Sequence, residues 1–123
     1  AKHLQSHDAV SWVRYAGLEG DEYHALQQKY LPNGAGSVFT FGLKGGYDAG
    51  VKFVEALGMF SHLANIGDTR SLVIHPASTT HRQLTDAQRD AAGAGNEVIR
   101  VSIGIEDKAD IIADIDQALA KAA

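Results

Sequence analysis

The stretch 97–105 constrains the fold more than any other part of the chain. Its apolar residues alternate almost strictly, and one face is formed by Ile99, Val101, Ile103 and Ile105. The opposite face is formed by Val98, Arg100 and Ser102. Such a period of two is typical of a β-strand. The segment therefore needs neighbouring strands and a layer that buries its isoleucine face.

A covering layer is predicted directly after this strand. Asp107 is a residue type that caps helix N-termini well, and the apolar positions that follow recur every four residues, as on one helix face: Ile111, Ile115 and Leu119. Further upstream, Ser37–Leu43 has apolar residues on both faces, as in a strand covered on two sides. Residues 48–57 follow as an amphipathic helix, and Gly58 is expected to end it in a left-handed cap.

Shorter signals complete the pattern. They predict a weak helix at 1–9, a strand at Val10–Arg14, a loop at 61–70 and a strand at 72–74. They also predict a helix capped by Asp21 that runs to about Tyr30, and a short helix capped by Thr85 that runs through Ala91. A helix followed by four strand–helix units predicts an α/β (α+β) fold. We expect one small domain, residues 1–123, with a mostly antiparallel sheet and helices mainly on one face.

Composition narrows the classes of function. The 123 residues carry a net charge of -4, and the 11 Lys and Arg are scattered, which argues against nucleic-acid binding. No apolar run is long enough to cross a bilayer. The absence of Cys excludes a disulfide framework and a thiolate nucleophile, and fits a cytoplasmic location.

Arg100 is the strongest candidate for a binding residue. A guanidinium held on a rigid strand suits bidentate capture of a carboxylate or phosphate, because its planar fork matches two oxygens. The alternative is an arginine on a solvated sheet face that makes a weak surface ion pair. The pattern alone leaves both interpretations open.

The polar segment His75–His81 follows a strand end, where binding groups are common. Its histidines could relay protons, or Pro76 and the hydroxyls could simply form a turn. The two histidines lack the helical spacing of a metal pair, so we assign no metal. Lys44 lies in a glycine-rich turn that lacks P-loop spacing, and a surface role suits it better than a Schiff base.

Three stretches together resemble the C-terminal domain of the Cys/Met-metabolism family of pyridoxal-phosphate (PLP) enzymes. They are Val10–Gly17, where Ala16 stands in place of the usual proline, His75–His81 and Arg100–Asp107. The resemblance covers essentially the whole chain and implies the small domain of a fold-type I PLP-dependent transferase. Within the family, the chain is similar to the O-acetylhomoserine sulfhydrylase branch at Phe39–Gly46, Ala64–Asp68 and Ser71–His75.

The resemblance implies a role for three residues in substrate binding. Arg100 matches the arginine that binds the substrate α-carboxylate. Asn65 matches a loop position that helps to hold the same carboxylate, and Thr80 matches a hydroxyl residue near the substrate. The implied reaction is γ-replacement, in which O-acetyl-L-homoserine loses acetate and adds sulfide or a small thiol to give homocysteine or methionine.

The same resemblance implies partners for the chain. The Schiff-base lysine and the PLP site belong to the family's large domain, so the chain is expected to be inactive alone and to work within a homotetrameric parent. Two alternatives stay open: a sibling activity, such as cystathionine γ-synthase or methionine γ-lyase, and a non-catalytic amino-acid-binding module.

Overall fold

The computed structural model describes all 123 residues and contains one five-stranded sheet. The strands are β1 (Val10–Arg14), β2 (Val38–Leu43), β3 (Ser61–His62), β4 (Leu72–Ile74) and β5 (Val98–Ser102). Their order is β1-β2-β5-β4-β3, and only the β3–β4 pair is parallel. The prediction of a small, mostly antiparallel sheet is confirmed. The prediction of a loop over 61–70 was wrong at its start, because the polar residues Ser61 and His62 form the short strand β3, which pairs with β4.

Five α-helices connect or flank the strands: α1 (Lys2–Gln5), α2 (His24–Tyr30), α3 (Gly46–Ala56), α4 (Asp86–Ala91) and α5 (Lys108–Ala122). A 3₁₀ turn spans Pro76–Ser78. Apolar residues of α3 and α5 share one core with the inward face of the sheet, so the predicted helix layer is confirmed. Helix α2 buries no residue.

The core forms where β2 and β5 meet α3. Phe41 and Ile99 are cross-strand neighbours, and both are fully buried. The ring of Phe53 meets that of Phe41 edge to face, with ring centres 5.7 Å apart. The alternation in β5 therefore buries the face that the sequence predicts.

The N-caps predicted for two helices are confirmed, and the N-cap predicted for a third is wrong. The Thr85 side chain caps α4 in a reciprocal capping box with Gln88, and Asp107 accepts from Ala109 N–H at 2.7 Å. Asp21 does not cap α2, because its carboxylate instead accepts from Tyr15 and Tyr23 N–H.

The left-handed cap predicted at Gly58 is also absent. Helix α3 ends in the extended residue Leu57, and the carboxylate of Asp114 on α5 accepts from the N–H groups of Gly58 and Met59 at 2.8 and 2.9 Å. A partner 56 residues away thus replaces the local cap.

The strand predicted over 97–105 is shorter than expected. β5 ends at Ser102, and Ile105 is 83% exposed rather than on the buried face. The chain turns away at Gly104, where a Cβ would collide with the backbone of Thr69 and Arg70. Ile105 N–H donates to the Thr69 carbonyl at 2.9 Å, which redirects its side chain.

Candidate functional site

Arg100 lies in the middle of β5, the central strand of the sheet. It pairs with Thr40 of β2 on one side and Ile74 of β4 on the other. Its side chain is on the face opposite the core residues Ile99 and Val101 and is partly exposed. Neighbouring strands on both sides therefore hold the Cα of Arg100 firmly, while its guanidinium stays accessible.

The guanidinium has no carboxylate partner. The three ion pairs of the structure are His3–Asp116, Arg14–Glu22 and Arg89–Asp86, and none includes Arg100. Within residues 1–123, Arg100 therefore makes no surface ion pair. A fork of N–H donors remains available for an anion.

The structure brings Arg100 and Asn65 together although they are 35 residues apart in the sequence. Arg100 Nη2 donates to the backbone carbonyl of Asn65 at 3.4 Å, a long and weak bond. The Asn65 side chain is turned elsewhere, since its Oδ1 accepts from Ile66 N–H at 2.8 Å. The loop after β3 thus meets the arginine through its backbone.

Thr80 is exposed and hydrogen-bonds neither Arg100 nor Asn65. Its hydroxyl lies 2.8 Å from Nδ1 of His81. Its place near a substrate stays a prediction.

A carboxylate that the sequence did not single out fixes the end of the Asn65 loop. Glu106 Oε1 accepts from Ser71 N–H at 2.6 Å, and Oε2 accepts from the Ser71 hydroxyl at 2.8 Å. Burial alone would raise the pKa of Glu106, but hydrogen bonds from the Ser71 backbone, from its own N–H and from the Ser71 hydroxyl outweigh burial and lower it. The Arg100–Asp107 motif contains Glu106, but its partner could be found only in the structure.

His75 is a structural residue rather than an exposed proton relay. The ring is fully buried; Nε2–H donates to the Asn96 carbonyl at 2.9 Å, which leaves Nδ1 to accept from the Ser78 hydroxyl at 2.9 Å. Gly50 packs against it so closely that a Cβ there would stand 2.6 Å from Nε2. Burial lowers the pKa of His75, only partly opposed by the Asn96 bond.

This burial predicts a loss of stability in mild acid. The unfolded chain takes up a proton near pH 6.5, while the folded chain resists it, so the His75 contribution is complete above pH 6.5 and is lost as the pH falls below it. The slope for one group is at most about 1.4 kcal/mol per pH unit. Denaturant unfolding at pH 7.5 and 5.5 should show a smaller pH dependence in His75→Asn than in wild type. His81→Asn, on the same segment but partly exposed, is the control; equal slopes in wild type and His75→Asn would contradict the prediction.

Within residues 1–123, no lysine has the desolvated environment of a Schiff-base lysine. Such a lysine needs a desolvated amine, and all of the lysines are exposed: Lys2, Lys29, Lys44, Lys52, Lys108 and Lys121. The residues present therefore do not fit the cofactor-binding role, whereas Arg100 fits a carboxylate. Neither a helix capable of spanning a membrane nor a cluster of three metal-binding side chains occurs in the structure.

The fold and the site define a small α/β domain of the kind that forms the C-terminal domain in PLP-enzyme structures. The model of the Cys/Met metabolism PLP-dependent enzyme family matches residues 1–120. The chain belongs to this family, which confirms the resemblance drawn from the motifs.

Individual relatives agree with this assignment. The chain is 54% identical over 119 residues to homocysteine synthase from Schizosaccharomyces pombe, and 48% identical over 120 residues to O-acetyl-L-homoserine sulfhydrylase 1 from Thermus thermophilus. These alignments cover 97% and 98% of this chain but 28% of each relative. Cystathionine gamma synthase from Xanthomonas oryzae pv. oryzae, solved with cystathionine, superposes with a TM-score of 0.88 at 37% identity, over 99% of this chain and 31% of that one. The chain thus spans less than a third of the length of these relatives.

Proposed function

We propose that residues 1–123 are the C-terminal small domain of a PLP-dependent enzyme that replaces the γ-acetoxy group of O-acetyl-L-homoserine with sulfide or a small thiol. The products are homocysteine or methionine, and acetate. The observation that carries this proposal is the unpaired Arg100 on the central strand, next to the Asn65 loop. The two relatives named as homocysteine synthase and O-acetyl-L-homoserine sulfhydrylase support this reaction.

In this proposal Arg100 binds the substrate α-carboxylate. Two N–H groups of its fork donate to the two carboxylate oxygens, and the rigid strand sets the direction from which the amino acid enters. Holding one end of the substrate reduces the freedom of the reacting end, which is an orientation effect. The Asn65 loop lies alongside the same carboxylate, and we retain Thr80 as a nearby hydroxyl.

The cofactor lies outside this chain in our proposal. PLP, when bound, supplies an electron sink for the bond changes of the substrate. Since every lysine here is exposed, we place the PLP site and its lysine in a large domain of the same protein. The parent would be a homotetramer, and the isolated chain would be inactive.

Substrate assays on the full-length protein test the proposal. We expect turnover of O-acetyl-L-homoserine with sulfide, and neither turnover nor PLP absorbance from residues 1–123 alone. A full-length protein that binds PLP but leaves O-acetyl-L-homoserine unchanged would contradict the assigned reaction.

One sibling activity has a specific observation in its favour. The Xanthomonas enzyme that superposes on the chain is a cystathionine synthase solved with cystathionine. Turnover of O-succinyl-L-homoserine with cysteine in the same assay, without turnover of sulfide and the acetyl ester, would support that alternative.

A further inference from the structure

The loop 63–70 is placed against Arg100 mainly by its ends. Residues 63–67 are all exposed, and Ile66 is 71% exposed, so little packing holds the middle of the loop. The long bond between Arg100 and the Asn65 carbonyl is too weak to position the loop by itself. Another contact must set where the loop lies.

That contact is at the C-terminal end of the loop. Both oxygens of Glu106 are used by Ser71, one by its N–H and one by its hydroxyl, and the Ser71 hydroxyl oxygen accepts from Gly104 N–H at 3.0 Å. The Ser71 carbonyl in turn accepts from Ser61 N–H at the start of β3, 2.9 Å away. Ser71 therefore links both ends of the loop to Glu106.

The surrounding backbone leaves this link little freedom. Ile105 N–H bonds the Thr69 carbonyl, and Gly104 has no room for a Cβ against Thr69 and Arg70. Hydrogen bonds to a carboxylate are stronger than neutral ones. The Glu106–Ser71 link therefore fixes the residue that follows the loop with two hydrogen bonds to one carboxylate.

We propose that Glu106 is a positioning residue for substrate binding: through Ser71 it sets the Asn65 loop at the distance from Arg100 that the substrate α-carboxylate requires. This inference rests on the proposed function, in which Arg100 holds that carboxylate. Glu106 makes no hydrogen bond with Arg100, so in this proposal it acts only through Ser71.

The test compares two carboxylate-to-amide changes in the full-length holoenzyme. Glu106→Gln removes a carboxylate that accepts from Ser71. Asp114→Asn removes a matched carboxylate that likewise accepts from backbone N–H groups, at Gly58 and Met59. For Glu106→Gln we expect the KM for the amino-acid substrate to rise about tenfold with kcat within about twofold, the effect of one charged hydrogen bond. Hydrogen exchange over 63–70 should also accelerate. Asp114→Asn should change neither.

The outcomes separate the two proposals. If the wild-type enzyme is active and Glu106→Gln has the same KM and the same hydrogen exchange over 63–70, the positioning role is overturned. An equal rise of KM in Glu106→Gln and Asp114→Asn would overturn it as well. If Glu106→Gln does not fold, Ser71→Ala is the second variant. It removes one of the two bonds to Glu106 together with the acceptor of Gly104 N–H, and it should raise KM about threefold or more; an unchanged KM there also overturns the positioning role. A wild-type enzyme without sulfhydrylase turnover refutes the proposed reaction and not the positioning role. The KM values of wild type and Glu106→Gln are then compared with the amino acid that the wild-type enzyme does convert.

Discussion

Replacing Arg100 with alanine in the full-length protein is expected to raise the KM for O-acetyl-L-homoserine on the order of 100-fold, because two charged hydrogen bonds to the carboxylate are lost. PLP absorbance should not change, since this chain offers no lysine to the cofactor. Arg100→Lys keeps the charge but loses the fork, and should raise KM about tenfold. Steady-state kinetics on the purified variants measure both effects.

Arg14 provides a matched control for Arg100. It is also a strand arginine, and its pairing with Thr40, the neighbour of Arg100, puts it on the same face of the sheet. Its Nη1, however, bonds Glu22 at 2.6 Å, and the residue is exposed. We expect Arg14→Ala to leave KM within about twofold of wild type. A KM for Arg100→Ala that equals that of Arg14→Ala would show that Arg100 does not bind the substrate.

Replacing Phe53 with alanine should lower the free energy of unfolding by about 3–5 kcal/mol, the usual cost of truncating a fully buried phenylalanine. Phe53 is 0% exposed and meets Phe41 edge to face, so the change opens a cavity between α3 and β2. Because small domains are stable by only about 5–15 kcal/mol, this loss is a large part of the total. Denaturant titration monitored by circular dichroism measures it.

The control for Phe53 is a truncation on a helix that buries nothing. Leu26 of α2 is 50% exposed, and Leu26→Ala should change stability by less than about 0.5 kcal/mol. An equally large loss in both variants would mean that α2 contributes to the folded core, against the packing described above.

Local periodicity predicted the strands and helices well where the structure depends on the spacing of residues within that strand or helix. The alternation in 98–102 and the four-residue repeat after Asp107 produce β5 and α5, because burial of one face depends on spacing within the element. The same reasoning failed at Ile105 and Gly58. At both positions a distant partner, Thr69 or Asp114, redirects the backbone.

The candidate site was predictable only in part. Periodicity put Arg100 on the outer face of a strand and left anion binding open as one of two interpretations. Only the family motif suggested substrate binding for Arg100, Asn65 and Thr80. The structure supplied the absence of an ion pair at Arg100 and its contact with Asn65. The role of Glu106 was not predictable, because nothing in its neighbouring residues indicates that it bonds Ser71.

The sequence by itself determined the class of fold, the strand that carries Arg100 and the family, since these follow from spacing and motifs within short stretches. Only the tertiary structure decided that Arg100 is free, that His75 is buried and that Glu106 holds the Asn65 loop. Both the Arg100–Asn65 and the Glu106–Ser71 contacts join residues 35 positions apart. Contacts of that range depend on how the strands are ordered in the sheet, and no local pattern of residues records that order.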